Sequence, residues 1–83
     1  MDVMQEVIQL LDEVLSLGGR AADFQRDSAL LGSVPELDSM AVVNLITTME
    51  ERFGIAIDDD EIDGDVFATV GSLVDFVRQK LGA

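Results

Sequence analysis

The sequence predicts an all-α fold, a small bundle of three to four helices with a long first connection. Apolar residues recur at helical spacing in three separate stretches, within 4–17, 42–53 and 70–81. Helix-ending and helix-starting residues bracket those stretches: Gly18-Gly19, Pro35, Gly54 and Thr69. The chain has 83 residues, 48% of them hydrophobic, which is enough for one modest core despite the strong charge. Residues 1–83 are therefore expected to form one domain, without internal repeats.

The first helix is expected over 4–17. Met4, Val7, Ile8, Leu11, Val14 and Leu15 share one face, which Leu10 and Leu17 widen. Gln5, Glu6, Gln9, Asp12, Glu13 and Ser16 take the other side, and Gly18-Gly19 supplies the left-handed stop. The connection over 18–37 is long for one without a regular element. Phe24, Leu30, Leu31, Val34 and Leu37 interrupt its polar residues often enough to pin it to a core, with a short helical turn expected near 27–31. Pro35 holds Val34 extended and resists a helix through this point.

The second helix is expected from Ser39 to Phe53, with Gly54 as its stop. Val42, Leu45, Ile46, Met49 and Phe53 form its buried stripe, whereas Met40, Val43, Thr47 and Glu50 lie on a different one. A short turn is expected around 60–63 in the acidic run 58–65. The last helix is expected over 70–81, with Thr69 as N-cap and Val70, Leu73, Val74, Val77 and Leu81 facing the core.

Composition narrows the function. There are 17 acidic and 5 basic residues, a net charge of −12. Such a surface repels phosphate backbones and anionic lipids, so neither nucleic acid nor membrane insertion is expected, and basic protein surfaces are the natural partners. Without His there is no Ser-His-Asp triad and no histidine-ligated metal. Without Cys there is no thiol nucleophile, disulfide or iron–sulfur site. Four Phe, with no Trp or Tyr, give little for stacking nucleobases. The start Met1-Asp2-Val3 lacks the basic and apolar regions of a signal peptide, so a cytoplasmic, monomeric protein is expected. This inventory argues against an enzyme.

The informative tract is Pro35-Glu36-Leu37-Asp38-Ser39-Met40, where loop becomes helix. Asp38 or Ser39 can cap that helix by accepting the free N–H groups of its first turn. An Asp-Ser pair at a helix start is most often only a cap. A serine placed there has a second use, because a phosphodiester on it would sit at the positive end of the helix dipole.

Here the sequence resembles the acyl carrier protein family. The resemblance rests on that family's Asp-Ser-Leu motif, present as Asp38-Ser39-Met40, followed by an amphipathic helix ending Glu50-Glu51-Arg52-Phe53-Gly54. It extends from Leu30-Leu31-Gly32 before the serine to Ile55-Ala56-Ile57 and Thr69-Val70 after it, and covers essentially the whole chain. The resemblance implies that a phosphopantetheinyl transferase attaches 4′-phosphopantetheine, donated by coenzyme A, to Ser39, with Asp38 beside it. The arm's thiol would hold acyl groups as thioesters for acyl-loading and acyl-using enzymes, so the reactive sulfur of a cysteine-free chain belongs to the cofactor. Val42, Leu45, Ile46 and Met49 are then expected to line an acyl-chain pocket as well as the core. Docking is expected on Met40 and Val43, with charge from Glu36, Asp38, Glu50 and Glu51.

Two positions depart from the family. Acidic residues are common early in its second helix, where this chain has Ala41 and Asn44. Together with the run 31–40, this is closer to specialised bacterial carriers, of the kind associated with exopolysaccharide and exosortase systems, than to a housekeeping fatty-acid carrier. The alternatives are an aminoacyl or peptidyl carrier, and a non-carrier acidic helical domain for protein interaction or calcium sensing. For calcium, an EF-hand loop with Gly64 at its sixth position would begin at Asp59 and find Val70 where a bidentate Glu is required. The spacing fails, and a solvated charge cluster is the better reading of 58–65.

Overall fold

Asp2 caps the first helix, its carboxylate accepting the Gln5 N–H at 3.4 Å. The computed structural model describes residues 2–82, apart from the side chain of Asp59. Met1 and Ala83, the ends of the expected domain, lie outside it, as does the side chain that would open the EF-hand loop. Helix α1 spans Val3–Leu15 and buries Val7, Leu10, Leu11 and Leu15. It ends earlier than expected, and not at glycine: Ser16 takes the left-handed conformation (φ 54°) and donates its N–H to the Asp12 carbonyl. The cause is Asp12, which sequence places only on the polar side. Its carbonyl also accepts the Leu17 N–H at 3.0 Å, and its carboxylate accepts those of Gly19 at 2.9 Å and Ala21 at 3.2 Å. One aspartate thus gathers the turn after the helix, and Leu17 swings into the core.

The long connection carries a 3₁₀ turn at Arg20–Asp23, not at the expected 27–31. Residues 26–31 instead run alongside 67–71. Val70 N–H donates to Ser28 O, Leu30 N–H to Ala68 O and Leu31 N–H to Phe67 O, each at 3.0 Å. This pairing gives the connection the backbone partners that a buried segment requires. Leu30, Val34 and Leu37 then anchor it in the core.

Helix α2 spans Ser39–Phe53 and stops at Gly54 (φ 66°), as expected. Helix α3 spans Val70–Leu81, where Thr69 Oγ1 accepts the Ser72 N–H and Ser72 Oγ accepts the Thr69 N–H in a reciprocal cap. A 3₁₀ turn at Asp59–Glu61 lies between them. Arg52, at the end of α2, pairs with Glu13 (2.7 Å) and approaches Glu6 (4.0 Å), while Arg20 after α1 pairs with Glu36 before α2. The core between the helices is apolar: among the described residues no polar or charged residue is buried.

The buried stripe of α2 is turned from the expected one. It consists of Ala41, Leu45, Met49 and Phe53, with Val42 and Ile46 half-buried at its edge. A 3.6-residue period admits both stripes, and the fold takes the one that buries Ala41. Ala41 therefore faces the core, not the docking side where the family comparison of residues had set it.

Gly71 marks a close approach of two backbones. Its N–H donates to Arg26 O at 2.8 Å, and a Cβ there would lie 2.9 Å from the same oxygen. Alanine has the better helix propensity, but that gain is at most about 1 kcal/mol, while overpacking costs about 1–3 kcal/mol. Gly71→Ala is expected to destabilise the fold by about 1 kcal/mol, lowering Tm by about 4–8 °C. A thermal melt with unchanged or raised Tm would show that the two backbones part without cost.

Candidate functional site

The chain reaches Ser39 through a tight sequence of turns. Val34 N–H donates to Leu30 O, Leu37 N–H to Val34 O and Asp38 N–H to Glu36 O. Asp38 is extended (φ −110°, ψ −175°), and its Oδ1 accepts the Ala41 N–H at 2.8 Å. The first intrahelical bond follows, from Val42 N–H to Asp38 O at 2.9 Å.

That settles which of two candidates is the cap. Asp38 takes the role, and Ser39 becomes the first helical residue, exposed, with its hydroxyl in no hydrogen bond among the described residues. The Ser39 and Met40 N–H groups precede the first intrahelical bond and point out of the helix start. A phosphodiester at Ser39 Oγ would meet these amides and the positive end of α2. The residues present therefore fit a phosphate-linked arm.

The other candidates divide. Met40 is 71% and Val43 57% exposed. Glu51 is exposed, while Glu50 Oε2 accepts the Ile57 N–H at 2.9 Å and so holds the chain after α2. Glu36 is held by Arg20, whose Nε also donates to Leu17 O at 3.0 Å. Leu45 and Met49 are fully buried, with Val42 and Ile46 beside them. Two open surface grooves lie elsewhere, one along α1 from Asp2 to Glu13 and the other between the acidic run and α3. Neither includes any of these four residues.

Sequence reasoning missed Arg20 and Asp12, which set the path of the connection toward Ser39. Arg20 and Glu36 stand sixteen positions apart with no shared motif, so no local signal joins them. In the acidic run, Asp63 Oδ1 accepts the Asp65 and Val66 N–H groups, and Glu61 pairs with Lys80 at 2.9 Å. These carboxylates shape a turn.

Comparison with known proteins agrees with this geometry. The family described as phosphopantetheine attachment site matches residues 5–77. The chain belongs to that family. It is similar to the acyl carrier protein of Prochlorococcus marinus, 32% identical over 98% of this chain and 95% of that protein. It is 46% identical to the acyl carrier protein of Desulforapulum autotrophicum over 52% of this chain, spanning about half (53%) of that relative's length. The solution NMR structure of a holo acyl carrier protein from Nitrosomonas europaea matches with a TM-score of 0.92 and 49% identity, over 100% of both chains.

The bundle is thus of the acyl carrier protein type. A chain of this family and fold is a carrier, not an enzyme, and its cofactor is covalent 4′-phosphopantetheine. Membership implies contact with a phosphopantetheinyl transferase and with acyl-handling enzymes. Among the described residues no helix is long and apolar enough to cross a membrane.

The ion pair beside the site has a pH signature. The Arg20 guanidinium, by hydrogen bonding, holds the Glu36 carboxyl below the ordinary glutamate range, and Lys80 does the same to Glu61. A carboxylate with a depressed folded-state pKa contributes stability above its unfolded pKa and loses it as pH falls through the folded one. Carboxyl-carbon NMR titration is expected to show both residues titrating low. Arg20→Gln should raise Glu36 toward the ordinary range and leave Glu61 low; an unmoved Glu36 would contradict the pairing.

Proposed function

We propose that Ser39 is the attachment point of the 4′-phosphopantetheine arm, and that the chain carries acyl groups as thioesters on it. The observation that carries this reading is the division of labour at the start of α2. Asp38 closes the helix end, and the neighbouring hydroxyl is left exposed against free amides. In the transfer, Ser39 Oγ loses its proton and gains a phosphodiester, and the nucleotide half of coenzyme A leaves. The arm supplies the thiol that holds the cargo. The protein contributes presentation: a rigid helix start that holds the linkage in one place and keeps it open to solvent.

Val42 and Ile46, half-exposed at the edge of the core, form the lip through which an acyl chain would pass. Leu45 and Met49 lie deeper, and methionine adapts its shape more readily than branched side chains. In this reading residues 1–83 work as one cytoplasmic domain that serves a transferase and then acyl-loading and acyl-using enzymes. The neutral Asn44 on the exposed side of α2 supports a specialised lipid, polyketide or exopolysaccharide-associated pathway over general fatty-acid synthesis.

Ser39→Ala is expected to abolish arm attachment, read as the loss of the mass gain after incubation with coenzyme A and a promiscuous transferase. Because Asp38 is the cap, the variant should keep its helical circular dichroism and its Tm. Asp38→Ala, in contrast, should lose about 0.5–2 kcal/mol of stability. Arm transfer to the alanine variant at position 39 would refute the assignment.

A further inference from the structure

A chain of hydrogen bonds runs from the end of α1 to the start of α2, and Ser39 stands at its far end. The Asp12 carboxylate accepts the Gly19 and Ala21 N–H groups, which fixes the backbone on both sides of Arg20. Arg20 Nε donates to Leu17 O at 3.0 Å and so orients the guanidinium. The same guanidinium donates to Glu36 Oε2, sixteen positions away. Glu36 O accepts the Asp38 N–H at 3.2 Å, and Asp38 Oδ1 accepts the Ala41 N–H at 2.8 Å.

Glu36 depends on Arg20 for its place. Its Oε1 is enclosed and has no hydrogen-bond partner among the described residues, so Arg20 is the group that compensates this carboxylate. A partly buried carboxylate that loses its counter-charge is drawn toward water. Glu36 would then turn outward, and the carbonyl that holds the Asp38 amide would move with it.

We propose that Arg20 is a positioning residue for arm attachment: through Glu36 it sets the backbone that presents the Ser39 hydroxyl to the transferase. The proposal rests on Ser39 as the attachment point. Placement matters because a reacting oxygen must stand about 3–3.5 Å from its target, and a displacement of about 1 Å can slow a reaction about a hundredfold. Two other roles for Arg20 leave different signatures. An effect of its charge alone, on a chain of net charge −12, would be shared by any other arginine removed from the surface. A direct contact with the transferase would show as a raised KM with kcat unchanged. Arg26 supplies the control, because it is about as exposed as Arg20 (54% against 61%) and pairs with Asp75 of α3 at 2.9 Å.

The test measures arm transfer from coenzyme A by a broad-specificity phosphopantetheinyl transferase, with the full chain, well below each variant's Tm. The variants are Arg20→Gln, Glu36→Ala, the two combined, and Arg26→Gln, each with hydrogen exchange of the Ala41 amide. Arg20→Gln should lower kcat about fivefold or more with KM within about twofold, and should speed exchange at Ala41 about fivefold or more. Arg26→Gln should leave kcat and Ala41 exchange within about twofold of the wild type. The combined variant should stay within about twofold of the slower single one, because both substitutions break one contact. The proposal is overturned if Arg26→Gln slows transfer as much as Arg20→Gln, or if the two losses multiply in the combined variant. It is overturned too if Arg20→Gln leaves either kcat or Ala41 exchange at the wild-type value, or acts on KM alone. If the wild-type chain gains no mass from coenzyme A, the Ser39 assignment fails first and takes this proposal with it.

Discussion

The bond from the Ala41 amide to the Asp38 carboxylate fixes where α2 begins, and with it which hydroxyl is left for chemistry. Had Ser39 been the cap, its oxygen would be turned to the helix amides and less open to an incoming group. With Asp38 in that place, Ser39 stands one residue into the helix. Its side chain faces solvent while the first-turn amides stay available beside it. The electrostatics agree, since a helix N-terminus favours both the capping carboxylate and an added phosphate.

That cap works only if the preceding chain arrives at the right place, and the long connection ensures it. Backbone pairing of 26–31 with 67–71 ties the connection to the start of α3. Leu30, Val34 and Leu37 fasten it to the core, and Arg20 holds Glu36 three residues before Ser39. The ion pairs lie at the surface, exposed or half-exposed, so each adds little stability. They matter more for direction: Arg20, Arg26, Arg52 and Lys80 each join segments distant in sequence.

Residues with a local signal were legible in the sequence. The limits of α2 followed from Asp38-Ser39 and Gly54, and those of α3 from Thr69 and its apolar period. The all-α fold followed from three amphipathic stretches, and the candidate serine from the resemblance of Asp38-Ser39-Met40 to the carrier motif. Other features depended on contacts that periodicity does not encode. Ser16 ended α1 because Asp12 gathers the amides beyond it, which overrode the glycines. Ala41 lies in the core, although correspondence with the family set it among the docking positions. The binding of Glu36 to Arg20 and of Glu50 to the Ile57 amide spans distant or irregular backbone, so their charge could not be assigned from composition.

The central claim is that the Ser39 hydroxyl, left free by the Asp38 cap, bears the arm. A proton–phosphorus correlation spectrum of the arm-loaded protein, with serine resonances assigned, reads the linkage directly. The account predicts that the phosphodiester phosphorus couples to the β-protons of Ser39 while the Ala41 amide keeps the shift of a capped helix start. Coupling to the β-protons of Ser16, Ser28, Ser33 or Ser72 instead would contradict it.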